Sequence, residues 1–241
     1  MSEDTIPRRR FLVGAGMAGT AVAAALTPAM SATTPAQAQT PAGSPATPAL
    51  DTERLVLTAT EWDFIVAAVD TLIPANDLTP SASDCGVATF VDRQLASAYG
   101  GGAKMYRMGP FRKGKPEQGY QLPLTPREFF AAGIVATNEW TRKTYGKDFD
   151  RLPAKDRDAA LKQLDAGKAE LPDFNGKEFF EALLQITMEG FFSDPIYGGN
   201  RNKTGWKLVG YPGLPAVYSN LIEEYRGKRY SVEPQSIADF S

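Results

Sequence analysis

Apolar side chains recur at intervals of three and four residues from about residue 55 onward, which is the spacing of amphipathic helices. The first predicted helix begins at a capping box, Thr58-x-x-Glu61, and ends before Pro74. Five further helices are expected to begin at Ser83 or Asp84, at Thr125-Pro126, after Pro153, at Lys177 and after Pro215. The sequence shows no sustained strand periodicity and no internal repeat. We therefore predict an all-α fold, a single irregular helical domain of about six helices joined by two long ordered loops.

The predicted fifth helix is apolar around most of its circumference, and we expect it to be the most buried. Its polar residues, Glu178, Glu181 and Gln185, form one stripe. The remaining positions are covered by Phe179, Phe180, Leu183, Leu184, Ile186, Met188 and Phe191.

Two stretches, residues 100–123 and 193–213, lack a helical pattern and are longer than most connections in compact domains. The first contains five basic residues, Lys104, Arg107, Arg112, Lys113 and Lys115, against Glu117 alone. The second combines five glycines with Tyr197, Trp206 and Tyr211. Aromatic residues at this density indicate either a loop packed over its own core or a binding surface.

Residues 1–38 have the three regions of a secretory signal: Arg8-Arg9-Arg10, a weakly apolar run from Phe11 to Leu26, and Ala36-Gln37-Ala38. The run of 16 residues is short for a membrane-spanning helix, which takes about 20 strongly apolar residues, so a permanent anchor is the weaker interpretation.

Arg8, Arg9, Phe11 and Leu12 resemble the twin-arginine export pattern R-R-x-F-L, with an ordinary Sec signal as the alternative. Cleavage is expected after Ala36-x-Ala38. Residues 39–54 are rich in Pro, Ala and Thr and are predicted to be a disordered linker, followed by the helical domain at 55–241.

Composition restricts the chemistry, because the chain contains no histidine and only one cysteine, Cys85. These counts exclude a His-containing catalytic triad, C-x-x-C-H haem attachment, an internal disulfide and a Cys-rich metal site. The net charge of −2 and the lack of an extended basic patch argue against a nucleic-acid partner.

No catalytic, cofactor-binding or metal-binding residue is predicted in this chain. Neighbouring carboxylates such as Glu223 and Glu224 are better explained as solvated surface groups. Residues 198–205 lack the spacing of a phosphate-binding loop, and the only G-x-G-x-x-G pattern lies inside the apolar signal. Cys85 is open to three interpretations: a buried inert thiol, a free reactive thiol, or half of an intermolecular bridge.

A twin-arginine signal is typical of proteins that fold, often with a cofactor, before export. This chain lacks the usual cofactor ligands, so we expect a second chain to hold the cofactor and to be exported on the signal of the first.

Several segments together resemble the gluconate 2-dehydrogenase subunit 3 family, most specifically Glu189 to Asn200 (EGFFSDPIYGGN). The other matching segments are residues 73–77, 83–92, 119–121, 205–207 and 210–213. Cys85 departs from the small residue more usual in the family, so no family role is carried over to it.

This resemblance implies a small, non-catalytic (gamma) subunit of a membrane-bound dehydrogenase that oxidises gluconate to 2-ketogluconate. The FAD would belong to a large flavoprotein subunit and the haem c to a multi-haem cytochrome c subunit. The complex would lie in the periplasm, with the chain associated with the membrane through these partners.

The partner interface is predicted on the second loop, at Asp194, Tyr197, Asn200, Trp206 and Tyr211. The alternative is a free-standing periplasmic carbohydrate-binding protein or enzyme that uses the same Tyr/Trp-rich loop.

Overall fold

The computed structural model describes residues 54–240 except 113, 116, 117 and 216. The predicted signal, with Arg8, Arg9, Phe11, Leu12, Ala36 and Ala38, and residues 39–53 of the predicted linker lie outside the described residues. The α-helices are α1 (Ala59–Leu72), α2 (Val87–Ala96), α3 (Pro126–Tyr145), α4 (Ala154–Asp165), α5 (Gly176–Phe192) and α6 (Thr204–Val209). Within the described ranges the only β-type pairing is an isolated bridge between Gly213 and Gln235, so the all-α prediction is confirmed.

Two helix starts are fixed by their own sequence. Thr58 accepts a hydrogen bond from the Glu61 amide at 3.3 Å, and Glu61 Oε2 accepts one from the Thr58 amide at 2.8 Å. Thr125 and Glu128 repeat this capping box at the start of α3. Each box satisfies amide groups that a helix leaves unpaired at its first turn, so the predicted starts of α1 and α3 are confirmed.

The core is built from phenylalanine rings supplied by several elements. Phe64 of α1 lies 4.8 Å from Phe149, which precedes α4, and 6.1 Å from Phe179 of α5, measured between ring centroids. Phe129 and Phe130 of α3 approach Phe179 at 6.3 and 5.9 Å. All five rings are buried, so α5 runs through the centre of the packing.

A buried carboxylate fastens the start of the folded region to α2. Asp92 accepts hydrogen bonds from three successive backbone amides, those of Leu55, Val56 and Leu57, at 2.5, 3.0 and 2.9 Å. The carboxylate is 2% exposed, and these amide donors replace the water that burial removes.

The prediction that α2 is capped by Ser83 or Asp84 is wrong, because the helix begins at Val87 after Gly86. Ser83 instead donates its hydroxyl to Asp70 of α1 at 2.7 Å. This contact lies 13 residues away in sequence, which a local capping pattern cannot show.

The prediction of a helix after Pro215 is also wrong. Only a 3-10 turn, Ser219–Leu221, forms there, and Val217 and Ile222 are exposed. The sixth helix is α6, which lies inside the stretch expected to be non-helical.

In α5, Leu184 and Met188 are 37% and 41% exposed, so that helix is less completely buried than its composition suggests. None of the helices in the described part of the chain is long and apolar enough to span a bilayer.

Candidate partner-binding surface

The loop of residues 193–213, here called the second loop, is a compact folded segment. It contains 3-10 turns at Pro195–Tyr197 and Arg201–Lys203, followed directly by α6. Left-handed residues at Gly198 and Gly210 end the first turn and α6, so glycines that argued against one continuous helix allow several short ones.

Asn200 lies at the centre of this loop and is completely buried. Its side-chain amide donates to the Ser193 carbonyl at 2.8 Å and its Oδ1 accepts from the Gly205 amide at 2.7 Å. Its backbone is left-handed, with φ at 47°, a conformation that Asn tolerates better than most residues. Asn200 therefore joins the residue that follows α5 to the first turn of α6.

Trp206 of α6 is also buried, with 6% of its surface exposed. Its indole nitrogen donates to the Phe192 carbonyl at 2.7 Å, at the last residue of α5. The Tyr211 ring lies edge-on to it at 5.2 Å. The indole thus supplies both packing and a hydrogen bond to an otherwise unpaired carbonyl of the helix end.

Two glycines let the second loop lie directly on the end of α5. A Cβ atom at Gly199 would lie 2.1 Å from the Gly190 carbonyl oxygen, and one at Gly205 would lie 2.2 Å from that of Phe191. Any side chain at either position would force the loop away from the helix.

The loop is joined to the α2 region through Cys85, whose carbonyl accepts from the Arg201 amide at 2.9 Å. The Cys85 side chain is 1% exposed. Burial raises the pKa of its thiol, against the opposing effect of a hydrogen bond with Thr204. This environment favours the buried, inert thiol among the three interpretations, since a bridge to another chain would require Cys85 to leave the core.

The C-terminal segment closes over the other side of the second loop. Asp194 accepts from the Ile196 amide at 3.0 Å and from the Ile237 amide at 2.9 Å. Lys203 donates to the Pro234 carbonyl at 2.9 Å and pairs with Asp239, whose pKa that hydrogen bond lowers. Asp194 is therefore a structural residue that links the loop to the chain end.

Large apolar side chains remain exposed on this framework. Tyr197 and Tyr211 are 51% and 43% exposed, and Leu208 and Val209 of α6 are 47% and 60% exposed. With Ile196, at 43%, these residues are called the outer face of the second loop.

The five predicted interface residues thus divide into two groups. Tyr197 and Tyr211 lie on the outer face, whereas Asp194, Asn200 and Trp206 hold the loop in shape. Sequence reasoning missed Ile196, Leu208 and Val209. The exposure of Leu208 and Val209 depends on how α6 is oriented, and that of Ile196 on the 3-10 turn Pro195–Tyr197. A signal was available for Leu208 only, since a residue two positions after the buried Trp206 lies on the opposite side of a helix.

A separate, polar surface lies along α5, where Glu178, Glu181 and Glu189 line an open groove of about 450 Å³ with Tyr99 and Tyr120. Glu181 pairs with Lys177 at 2.7 Å, and Glu189 accepts from Gln185 at 2.8 Å. The described residues contain no group of three or more metal-ligating side chains. The groove contains neither a histidine nor a thiol that could act as a nucleophile.

A family model described as Gluconate 2-dehydrogenase subunit 3 matches residues 59–213. Comparison with curated proteins gives no match, and comparison with solved structures gives none either. The matched region runs from the start of α1 to the end of the second loop and includes the outer face and the whole hydrophobic core except Leu57. Since the match covers well over half of the chain, the chain belongs to the gluconate 2-dehydrogenase subunit 3 family.

Proposed function

We propose that this chain is the small, non-catalytic subunit of a membrane-associated, flavin-dependent sugar-acid dehydrogenase. It binds the large catalytic flavoprotein, supports its folding, and carries it through the twin-arginine route into the periplasm. The observation that carries this proposal is the outer face of the second loop, a set of large exposed apolar side chains on an internally hydrogen-bonded support.

The support matters because binding is strongest when the contact residues are ordered beforehand. Asn200, Trp206 and the C-terminal segment already fix the second loop, so little further conformational freedom is lost when a partner covers it. Exposed apolar side chains grouped on one short segment are characteristic of protein interfaces.

The proposed division of labour places the chemistry in other chains. FAD would be bound by the large subunit, where gluconate would be oxidised to 2-ketogluconate, and electrons would pass to a multi-haem cytochrome c. Membrane association through these partners follows from that arrangement. The absence of histidine from the sequence supports a binding role for this chain.

The carbohydrate-binding alternative depended on a Tyr/Trp platform open to solvent. Trp206 is buried and its polar atom is already bonded to Phe192, so the central ring of that platform does not face a ligand. The remaining exposed rings, Tyr197 and Tyr211, fit a protein interface as well as they fit a carbohydrate site.

The proposal is tested by Val209→Glu in an affinity-tagged full chain purified from its own cells. A carboxylate within an apolar interface is expected to weaken capture of the flavoprotein about thirtyfold, corresponding to roughly 2 kcal/mol. Co-purified flavin absorbance and gluconate oxidation measure the capture.

Val135→Glu provides a matched control, because Val135 of α3 is 56% exposed against 60% for Val209. This control should retain the flavoprotein. Equal capture by both variants would contradict the assignment of the outer face, and flavin bound to the isolated chain would contradict the non-catalytic role.

A further inference from the structure

The loop of residues 100–123, here called the first loop, exposes large apolar side chains at its tip. Tyr106 is 80% exposed, Met108 74% and Phe111 42%. Three such residues within six positions are unusual for a solvated connection, because each leaves a large apolar area in water.

The base of the first loop is anchored to the helical body, whereas the apolar side chains at its tip are exposed. The Gly100 carbonyl accepts from the Arg127 amide at 3.2 Å, which fixes the entry to the loop. Near its exit, Tyr120 stacks on the core ring of Phe129 with the ring centroids 3.9 Å apart. The Tyr120 hydroxyl donates to the Leu124 carbonyl at 3.3 Å, and burial raises its pKa to about 12.

Basic residues flank the exposed apolar side chains along the first loop. Lys104, Arg107, Arg112 and Lys115 are exposed, and none of them forms an ion pair within 4.0 Å among the residues that the structure describes. The whole chain carries a net charge of −2, so this loop is a local positive site on a weakly negative protein. Such a distribution orients the tip toward an anionic surface.

A cleft of about 310 Å³ lies beside the same tip, and both polar and apolar side chains line it. Its lining includes Met105, Met108 and Phe111 together with Gln118 and Gln121. Exposed basic residues beside exposed apolar side chains match a surface that presents anionic head groups over hydrocarbon.

We propose that the first loop docks onto an anionic phospholipid bilayer. Tyr106, Met108 and Phe111 enter the interfacial region, while Lys104 and Arg112 contact lipid phosphates. A bilayer is favoured over an acidic protein face because the apolar groups project from a loop tip, whose insertion into a fluid interface needs no complementary partner shape.

This inference goes beyond the proposed function, in which the membrane is reached only through partner subunits. Direct lipid contact would give the small subunit its own orientation at the bilayer. The two ideas use different loops, so the failure of one leaves the other intact.

The test uses the full chain with an environment-sensitive fluorophore attached through Met108→Cys. Cys85 is 1% exposed and is not expected to react with the dye. Vesicles of phosphatidylglycerol mixed with phosphatidylcholine should produce a blue shift of the emission, and phosphatidylcholine alone should produce little. The dye reports the first loop itself, so binding through any other segment does not generate the signal.

Lys104→Glu with Arg112→Glu is expected to weaken this response at least tenfold, since each basic residue near an anionic surface strengthens binding several-fold. Lys155→Glu with Lys168→Glu changes the net charge equally at exposed positions elsewhere and should keep the response. No blue shift on the anionic vesicles, or an equal loss in both double variants, would overturn the proposal. Loss of flavoprotein capture by the first-loop variant, with no response to lipid, would assign the loop to an acidic protein instead.

Discussion

Individual residues in the second loop have roles that depend on which atoms they present inward. Asn200 and Trp206 use their side-chain polar atoms for backbone groups of the same chain, at 2.7 to 2.8 Å. Tyr197 and Val209, by contrast, are 51% and 60% exposed to solvent. A single loop therefore contains both the residues that maintain its shape and those available to a partner.

At this scale we predict that Trp206→Ala lowers the free energy of unfolding by about 3 to 5 kcal/mol, because it removes a buried aromatic side chain. Trp206→Phe keeps much of the ring but leaves the Phe192 carbonyl without its donor, at a cost of about 1 to 3 kcal/mol. Urea unfolding measures both values. Unchanged stability in the Ala variant, combined with lost flavoprotein capture, would return Trp206 to the interface.

Helices α3 and α5 pack closely at a glycine. Gly133 of α3 faces Phe179 of α5, and a Cβ atom there would lie 2.2 Å from the ring carbon Cδ2. The close approach of α3 and α5 thus requires glycine at the crossing point, although glycine lowers helix propensity by about 1 kcal/mol relative to alanine.

We therefore expect Gly133→Ala to destabilise the protein by about 1 to 3 kcal/mol through overpacking, despite its better helix propensity. Phe179→Leu creates space in the same contact, so the double variant should lose less stability than the sum of the single variants. Thermal unfolding of all four proteins forms a double-mutant cycle. Additive losses would show that the two residues do not determine the crossing.

On the scale of the whole molecule, the proposal combines three regions with separate tasks: an N-terminal signal, a helical body and two exposed loops. The body contains a continuous buried core, extending from Leu57 through Phe191. A body of this kind can fold before export, as the twin-arginine route requires, and can hold a partner while it does so.

Replacement of Arg8 and Arg9 by Lys is expected to retain both this chain and its flavoprotein partner in the cytoplasm. The reason is that, in the proposed co-export, the paired arginines are the element that directs the precursor to the twin-arginine route. Dehydrogenase activity in periplasmic and cytoplasmic fractions measures the distribution. Arg54→Lys with Arg229→Lys, two exposed positions of the body, should export normally. Unchanged periplasmic activity in the Arg8/Arg9 variant would contradict the proposed co-export.

Local sequence determined those features that depend on neighbouring residues. The capping boxes at Thr58 and Thr125 could be predicted because their bonds span three residues, and the all-α class followed from apolar spacing. The matching segments also allowed the family to be inferred before any contact was known.

Tertiary structure alone decided which loop residues face outward. Asn200, Trp206 and Tyr211 are equally plausible contact residues in sequence. In the structure, however, the Asn200 side chain bonds to Ser193 and Gly205, and the Trp206 side chain bonds to Phe192, so both point into the protein. The short helix α6 escaped prediction because it rests on close backbone approach at Gly205 rather than on a long apolar stripe. Burial and exposure result from the summed packing of distant segments, so a local pattern cannot specify them.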